Sequence, residues 1–214
     1  PFGLALGGGC EVCLWSDKIV AHNELYMALV EVGAGLVPAG GGCYQMWKRM
    51  SESVVTPTDW LSVFLEAFQT IAMPMPSGSA QEARKKGFLR PQDRIVFNRD
   101  YLIGDAKKEV LRMVEDGYVP PACLGVKVFG QDAMGAVDAN IPDMLAGYKI
   151  APHISTVVRR VAYVISGGTA YKGTEISEDA MLALEREMFV DCWKTEGSQK
   201  MAEHMATKGK PLFI

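Results

Sequence analysis

The stretch ALGGGCEVC, residues 5–13, decides the fold expected for this sequence. An apolar run leads into three glycines, which predicts a short buried strand over residues 2–6 and a helix from the glycines to about Ser16. Glycines between a strand and a helix leave backbone N–H groups free, and a ligand atom can approach them closely. The turn is therefore either an oxyanion or phosphate site or simply a tight connection, and these residues alone leave both open.

Two glutamates lie in apolar, glycine-flanked segments where an exposed carboxylate is not expected. Glu11 precedes VCLW, and Glu31 lies between ALV and VGAG. A carboxylate in such surroundings is either satisfied by structural hydrogen bonds or has a raised pKa suited to acid–base chemistry. Two such residues, each beside a glycine-rich loop, favour the chemical interpretation.

Two neighbouring motifs have competing interpretations. GAGLVPAG, residues 33–40, is a weak dinucleotide-like string, but Pro38 falls where a phosphate-binding helix should run. Cys10 and Cys13 form a CxxC pair, which could be redox-active. A zinc site would need a second pair or suitably spaced histidines, and the three histidines are scattered, so we predict no metal and interpret the pair as small buried apolar residues.

The composition limits the classes of protein that fit. The formal net charge is -3, with no basic cluster, which argues against a nucleic-acid partner. No apolar stretch is long enough for a membrane span, and no signal-peptide pattern is present. Five cysteines at irregular spacings argue against a disulfide framework, so we expect a cytoplasmic protein.

The chain is predicted to have an α/β part, residues 1–117, and a mainly helical part, residues 118–214. Residues 58–72 are predicted to be a helix with Thr58 or Asp59 as N-cap, and residues 105–117 an amphipathic helix ended by glycine. Residues 118–140 are predicted to be a loop, because they contain two prolines and several glycines. The run EDAMLALERE, residues 178–187, is predicted to be a helix that begins after Ser177 and has a solvated acidic face.

The segment ALGGGCEVCLWSDKIVAHNELYMALVEVGAGLVPAGGG, residues 5–42, resembles the signature of the enoyl-CoA hydratase/isomerase (crotonase) family. Residues 97–121 and the C-terminal segment resemble one subgroup, the long proteins that fuse an NAD-dependent 3-hydroxyacyl-CoA dehydrogenase to a crotonase domain. The resemblance implies the C-terminal portion of a crotonase-like ββα superhelix, followed by the mainly helical region.

The family resemblance also implies roles for particular residues. The backbone N–H of Gly8 would be an oxyanion-hole donor for the thioester oxygen of an acyl-CoA substrate. Glu11 would act as base on the attacking water, and Glu31 would deliver a proton to the α-carbon. The substrate loops would include Gly7, Gly9, Gly33, Gly35, Pro38 and Gly41.

The family places its first strands, much of its CoA-binding surface and a second oxyanion donor before the triple glycine. We therefore expect a chain cut inside a larger fold and inactive by itself, with NAD bound only by the absent dehydrogenase portion. A homo-oligomer is possible. The alternative is a non-catalytic assembly module, favoured by the large apolar content of the helices between residues 141 and 207. A nicotinamide-binding domain rests on GAGLVPAG alone.

Overall fold

The computed structural model describes residues 1–52, 56, 59–73, 75–122 and 124–214. The first part of the chain contains β1 (Gly3–Leu6), α1 (Gly8–Leu14), β2 (Val20–His22), β3 (Leu25–Ala28), a 3-10 helix (Glu31–Ala34), α2 (Gly42–Ser51) and α3 (Trp60–Ala72). It continues with α4 (Ala80–Lys85), β4 (Arg94–Val96), a second 3-10 helix (Arg99–Tyr101) and α5 (Leu102–Glu115). The remainder contains β5 (Val126–Lys127), α6 (Asp132–Ala146), α7 (Pro152–Ile165), β6 (Glu175–Ile176), α8 (Glu178–Trp193) and α9 (Glu196–Lys208).

Short strand pairs position the glycine turn. β1 pairs with β3 in parallel, with Gly3 opposite Leu25 and Leu6 opposite Ala28. β2 pairs with β4 in parallel, whereas β5 and β6 form an antiparallel pair. Because β1 and β3 are parallel, their carboxyl ends meet at one edge, and the chain leaves that edge towards Glu11 and Glu31.

One hydrophobic core joins the two parts of the chain. Its largest fully buried side chains include Trp47 on α2 and Phe64 on α3, whose rings meet edge to face at 5.9 Å. α7 contributes several fully buried aliphatic side chains and packs against both of these helices. The core cluster runs from Ala5 to Met201, while the division into domains at residue 117 stays a prediction.

Most predicted helix ends are confirmed. The Ser177 hydroxyl accepts a hydrogen bond from Ala180 N–H at the start of α8, and the helix before Gly117 ends there with φ +73°. Asp59 is the N-cap residue of α3, although its carboxylate accepts hydrogen bonds from Thr56 rather than from the helix. Thr58, the other predicted cap, lies outside the described residues.

Two predictions about buried and irregular segments are wrong. The strand over residues 2–6 forms but is only partly buried, because alternate side chains point to opposite faces: Ala5 faces the core and Leu4 is 74% exposed. Residues 132–140 are not a loop but the first part of α6, in which Ala133 and Val137 form a buried stripe that packs towards α7. This packing overrides the weak helix preference of the glycine and proline within α6.

Within the described part of the chain, no helix combines the length and the apolar character needed to cross a bilayer.

Candidate active site

The triple glycine forms a sharp strand-to-helix turn. Gly7 has φ +55° and donates its N–H to Ala28 O at 2.9 Å, and α1 begins at Gly8. The positive φ favours glycine at this position, and a Cβ atom on Gly7 would lie 3.2 Å from Glu31 Oε1, so a larger residue would also crowd this carboxyl. Gly8 and Gly9 are exposed in the first turn of α1, where N–H groups have no acceptor within the helix.

Glu11 is held on this turn by backbone donors from a distant loop. Its side chain is buried, and Oε1 accepts hydrogen bonds from Gly40 N–H at 2.8 Å and Gly42 N–H at 3.0 Å. Its other oxygen, Oε2, lies 4.0 Å from the position of a Cβ on Gly8. Because both described donors bind Oε1, Oε2 can engage a ligand beside the glycine turn.

Glu31 lies across the same turn and is electrostatically different. It opens the 3-10 helix that follows β3, and its Oε2 is buried with no hydrogen-bond partner among the described residues. Burial raises the pKa of this carboxyl to about 7; the N–H groups of Glu31 and Val30 oppose the rise, and the charge of Glu11 adds to it. A carboxyl with this pKa can hold and release a proton near neutral pH.

A third carboxyl group binds the loop that holds Glu11, and its predicted position is wrong. Glu185 on α8 was predicted to lie on a solvated acidic face, yet it is fully buried. It accepts hydrogen bonds from Gly41 N–H at 2.8 Å and Tyr44 N–H at 2.7 Å. The signal was present in the spacing: residues 181, 185, 188 and 192 follow a helical stripe whose other members are two methionines and a cysteine.

The glycine-rich loop after Glu31 is anchored by α9. Gly35, with φ +77°, ends the 3-10 helix, and its carbonyl accepts a 2.6 Å hydrogen bond from the Ser198 hydroxyl. The Ser198 oxygen lies 2.9 Å from His153 Nε2. A Cβ on Gly35 would be 3.0 Å from Ser198 Cα, so glycine is required for this close approach.

The remaining predicted loop residues have separate surroundings. Gly41 has φ +95°, and a Cβ there would lie 2.4 Å from Trp15 Nε1, which donates a 2.7 Å hydrogen bond to Gly40 O. Pro38 packs beside Gly42. Gly33 lies on the other side of the loop, where it lines an apolar cleft of about 340 Å³.

The structure thus brings Gly7, Gly8, Glu11 and Glu31 together and leaves Gly33 outside this group. A phosphate could bind the free N–H groups at the start of a helix such as α2. Here the N–H groups of residues 40, 41, 42 and 44 already donate to the carboxyl groups of Glu11 and Glu185.

The CxxC pair has the chemistry of inert thiols. Cys10 is fully buried and Cys13 is half-buried, and burial raises the pKa of both thiols. Cys10, Cys13, Cys43 and Cys192 are free, and Cys123 lies outside the described residues. In the part of the chain that the structure describes, no group of three or more His, Cys, Asp or Glu side chains is placed to hold a metal ion.

The fold is the crotonase fold, and the resemblance to the enoyl-CoA hydratase/isomerase family is confirmed. A crystal structure of carnitinyl-CoA hydratase from Mycobacterium avium superposes with a TM-score of 0.53 at 20% identity, over 98% of this chain and 59% of that one. No protein-family model matches the sequence.

Two curated relatives match over most of the chain. One is a Bacillus subtilis (strain 168) protein named "Probable 3-hydroxyacyl-CoA dehydrogenase", 40% identical over 213 residues, which are 99% of this chain and 26% of that protein. The second is from Rickettsia prowazekii (strain Madrid E) and carries the provisional name of a fatty acid oxidation complex trifunctional enzyme. It is 28% identical over 193 residues, or 90% of this chain and 23% of that protein. The chain thus spans about a quarter of the length of these relatives.

Proposed function

We propose that this chain carries the glutamate pair of an enoyl-CoA hydratase of fatty-acid β-oxidation. The reaction is the reversible addition of water to a trans-2-enoyl-CoA thioester. The observation that carries the proposal is the pairing of two unlike carboxyls at one glycine turn. The Glu11 carboxyl accepts hydrogen bonds from two backbone N–H groups, whereas Glu31 has a pKa that burial raises to about 7.

The two carboxyls divide the proton transfers between them. Glu11 accepts a proton from the attacking water as the water oxygen bonds to the β-carbon of the substrate. The electron pair of the C=C bond moves towards the thioester, and the resulting enolate takes its α-carbon proton from Glu31. One water is consumed, and the proton gained by Glu11 equals the proton lost by Glu31, so the net charge of the site is unchanged.

The glycine turn supplies electrostatic stabilisation of the enolate. The N–H of Gly8, at the start of α1, is the proposed donor to the thioester oxygen, on which negative charge develops. Donors of this kind typically contribute about 10²–10³-fold in rate. The exposure of Gly8 gives a substrate oxygen access to this N–H.

The name of one relative supports a reaction sequence in which a dehydrogenase acts on the product of the hydration. Hydration yields a 3-hydroxyacyl-CoA, which is the substrate class in the name of the Bacillus subtilis relative. We propose that an NAD-dependent 3-hydroxyacyl-CoA dehydrogenase oxidises this product, with NAD bound outside residues 1–214. The homo-oligomer and the cytoplasmic location stay predictions from the sequence.

The test is hydration of crotonyl-CoA by the protein expressed from its complete gene. We expect Glu11→Gln and Glu31→Gln each to lower kcat by about 10²–10⁴-fold, because each removes one proton-transfer group. Glu24→Gln, at an exposed position just before β3, is the matched control and should retain the wild-type rate. Wild-type rates in both active-site variants, or no hydration by the wild type, would overturn the proposal.

A further inference from the structure

Helix α8 carries a carboxylate into the core of the protein. Glu185 has no exposed surface and lies on the stripe that includes the buried side chains of Met181 and Cys192. Burying a carboxylate is costly unless hydrogen bonds satisfy it, so its partners identify the reason for its position. Those partners are the backbone N–H groups of Gly41 and Tyr44, at the beginning of α2.

Residues 40–44, the loop that leads into α2, bind Glu11 as well as Glu185. The N–H groups of Gly40 and Gly42 donate to Glu11, whereas those of Gly41 and Tyr44 donate to Glu185. Two carboxylates, from α1 and from α8, therefore divide four N–H groups of one turn between them. Neither glutamate is near this turn in sequence, so the arrangement depends on tertiary packing.

The turn has little preference of its own for this geometry. Residues 40–42 are all glycine, and glycine allows many backbone conformations. Without an acceptor on Glu185, the N–H groups of Gly41 and Tyr44 would lose this partner in the core or would turn towards Glu11, the other side chain that binds this turn. Either change moves the donors that hold the Glu11 carboxylate.

We propose that Glu185 is a positioning residue for Glu11: by binding the Gly41 and Tyr44 N–H groups, it holds the Gly40 and Gly42 N–H groups on the Glu11 carboxylate. This role rests on the proposed hydratase function and extends it to the helical region of the chain. Burial raises the pKa of Glu185 to about 8, the hydrogen bonds from the Tyr44 and Gly41 N–H groups oppose the rise, and the charge of Glu11 adds to it. The titratable groups facing Glu185 are Glu11 from α1 and Cys43 from α2.

The test is a double-mutant cycle on the hydration of crotonyl-CoA by the protein expressed from its complete gene. Glu185→Gln keeps the size of the side chain but replaces one acceptor oxygen by an NH₂ donor, which faces a backbone N–H. We expect kcat to fall about 10–100-fold with KM little changed, because the catalytic base is displaced rather than the substrate-binding surface. Glu187→Gln, at an exposed position on the same helix, is the matched control and should leave kcat unchanged.

The cycle separates positioning from general destabilisation. In a Glu11→Gln background, Glu185→Gln should cause no further loss of kcat, whereas in a Glu31→Gln background its full effect should persist. An equal loss in both backgrounds would overturn the proposal and leave the hydratase function intact. Wild-type activity of Glu11→Gln itself would instead overturn the hydratase function.

Whether the Glu185 variants fold also tests the proposal. Circular dichroism and the thermal midpoint establish whether Glu185→Gln is folded before its kinetics are compared. If it does not fold, the same cycle is measured with Glu185→Asp, which keeps the carboxyl group but withdraws it by one methylene. Failure of both variants to fold would show that Glu185 serves the stability of the fold, and the positioning role would be rejected.

Discussion

The carboxylate of Glu11 occupies the space that a side chain on Gly40 would need. Gly40 donates its N–H to Glu11 Oε1 at 2.8 Å, and a Cβ on Gly40 would lie 2.4 Å from Glu11 Oε2. Gly42 is similarly constrained, since its Cβ would lie 2.9 Å from Glu11 Oε1. The glycines of this loop thus permit a buried carboxylate to approach the backbone closely.

Gly40→Ala should therefore displace Glu11. We expect hydration of crotonyl-CoA to fall about 10²-fold, because a shift of about 1 Å in a catalytic group has an effect of this size. Gly104→Ala in α5 is the control, since a Cβ there would meet no atom within 4 Å. Equal rates in the two variants would show that the contact between Gly40 and Glu11 does not matter for catalysis.

The free energy of unfolding should fall as the pH rises from about 4.5 to about 8. Burial raises the pKa of Glu31 to about 7 and of Glu185 to about 8, against an ordinary value of 4.5, so the folded state binds these protons more tightly than the unfolded state. Their contribution to stability is full below pH 4.5 and is lost as the pH passes through the raised values.

The measurement is the urea midpoint of unfolding between pH 4.5 and 8.5, compared between wild type, Glu185→Gln and Glu187→Gln. The fall should be smaller in Glu185→Gln, which has no carboxyl to titrate, and unchanged in Glu187→Gln. A fall of equal size in all three proteins would contradict the burial of an ionisable Glu185.

Ser198→Ala should destabilise the loop that follows Glu31. The substitution removes the hydroxyl beside His153 and the donor to the buried Gly35 carbonyl, and the loss of that partner costs about 1–3 kcal/mol. Thermal unfolding gives the measurement. Thr207→Ala, at an exposed position on the same helix, should change the midpoint much less, and a reversed order would refute the anchoring role of α9.

The local features of the fold could be predicted from the sequence, since they depend on neighbouring residues. The glycine turn before Glu11, the Ser177 cap of α8 and the glycine stop at Gly117 all have short-range signals, and all three form. The pairing of Glu11 with Glu31 was expected only through the family resemblance, because their proximity depends on the parallel pairing of β1 with β3.

The parts that were missed depend either on long-range contacts or on residue spacing that the charge, glycine and proline signals outweighed. The N-cap residue of α2 is Gly41, which has no side chain to cap the helix. The carboxyl groups that accept its N–H bonds lie 31 residues before Gly42 and 144 residues after Gly41 in the sequence, so no local pattern indicates them. Glu185 was assigned to a solvated face because it is charged, although its position on the helical stripe indicated burial. The start of α6 was missed because local glycine and proline signals outweighed the spacing of Ala133 and Val137.

The most direct test of the proposed chemistry is the pH dependence of kcat/KM for the hydration of crotonyl-CoA. Glu31 must carry a proton to deliver it to the α-carbon, and its pKa is raised to about 7. The rate should therefore decline above pH 7 with an apparent pKa of about 7 in the free enzyme. A rate that stays constant from about pH 6 to about pH 9 would contradict the assignment of Glu31 as the proton donor.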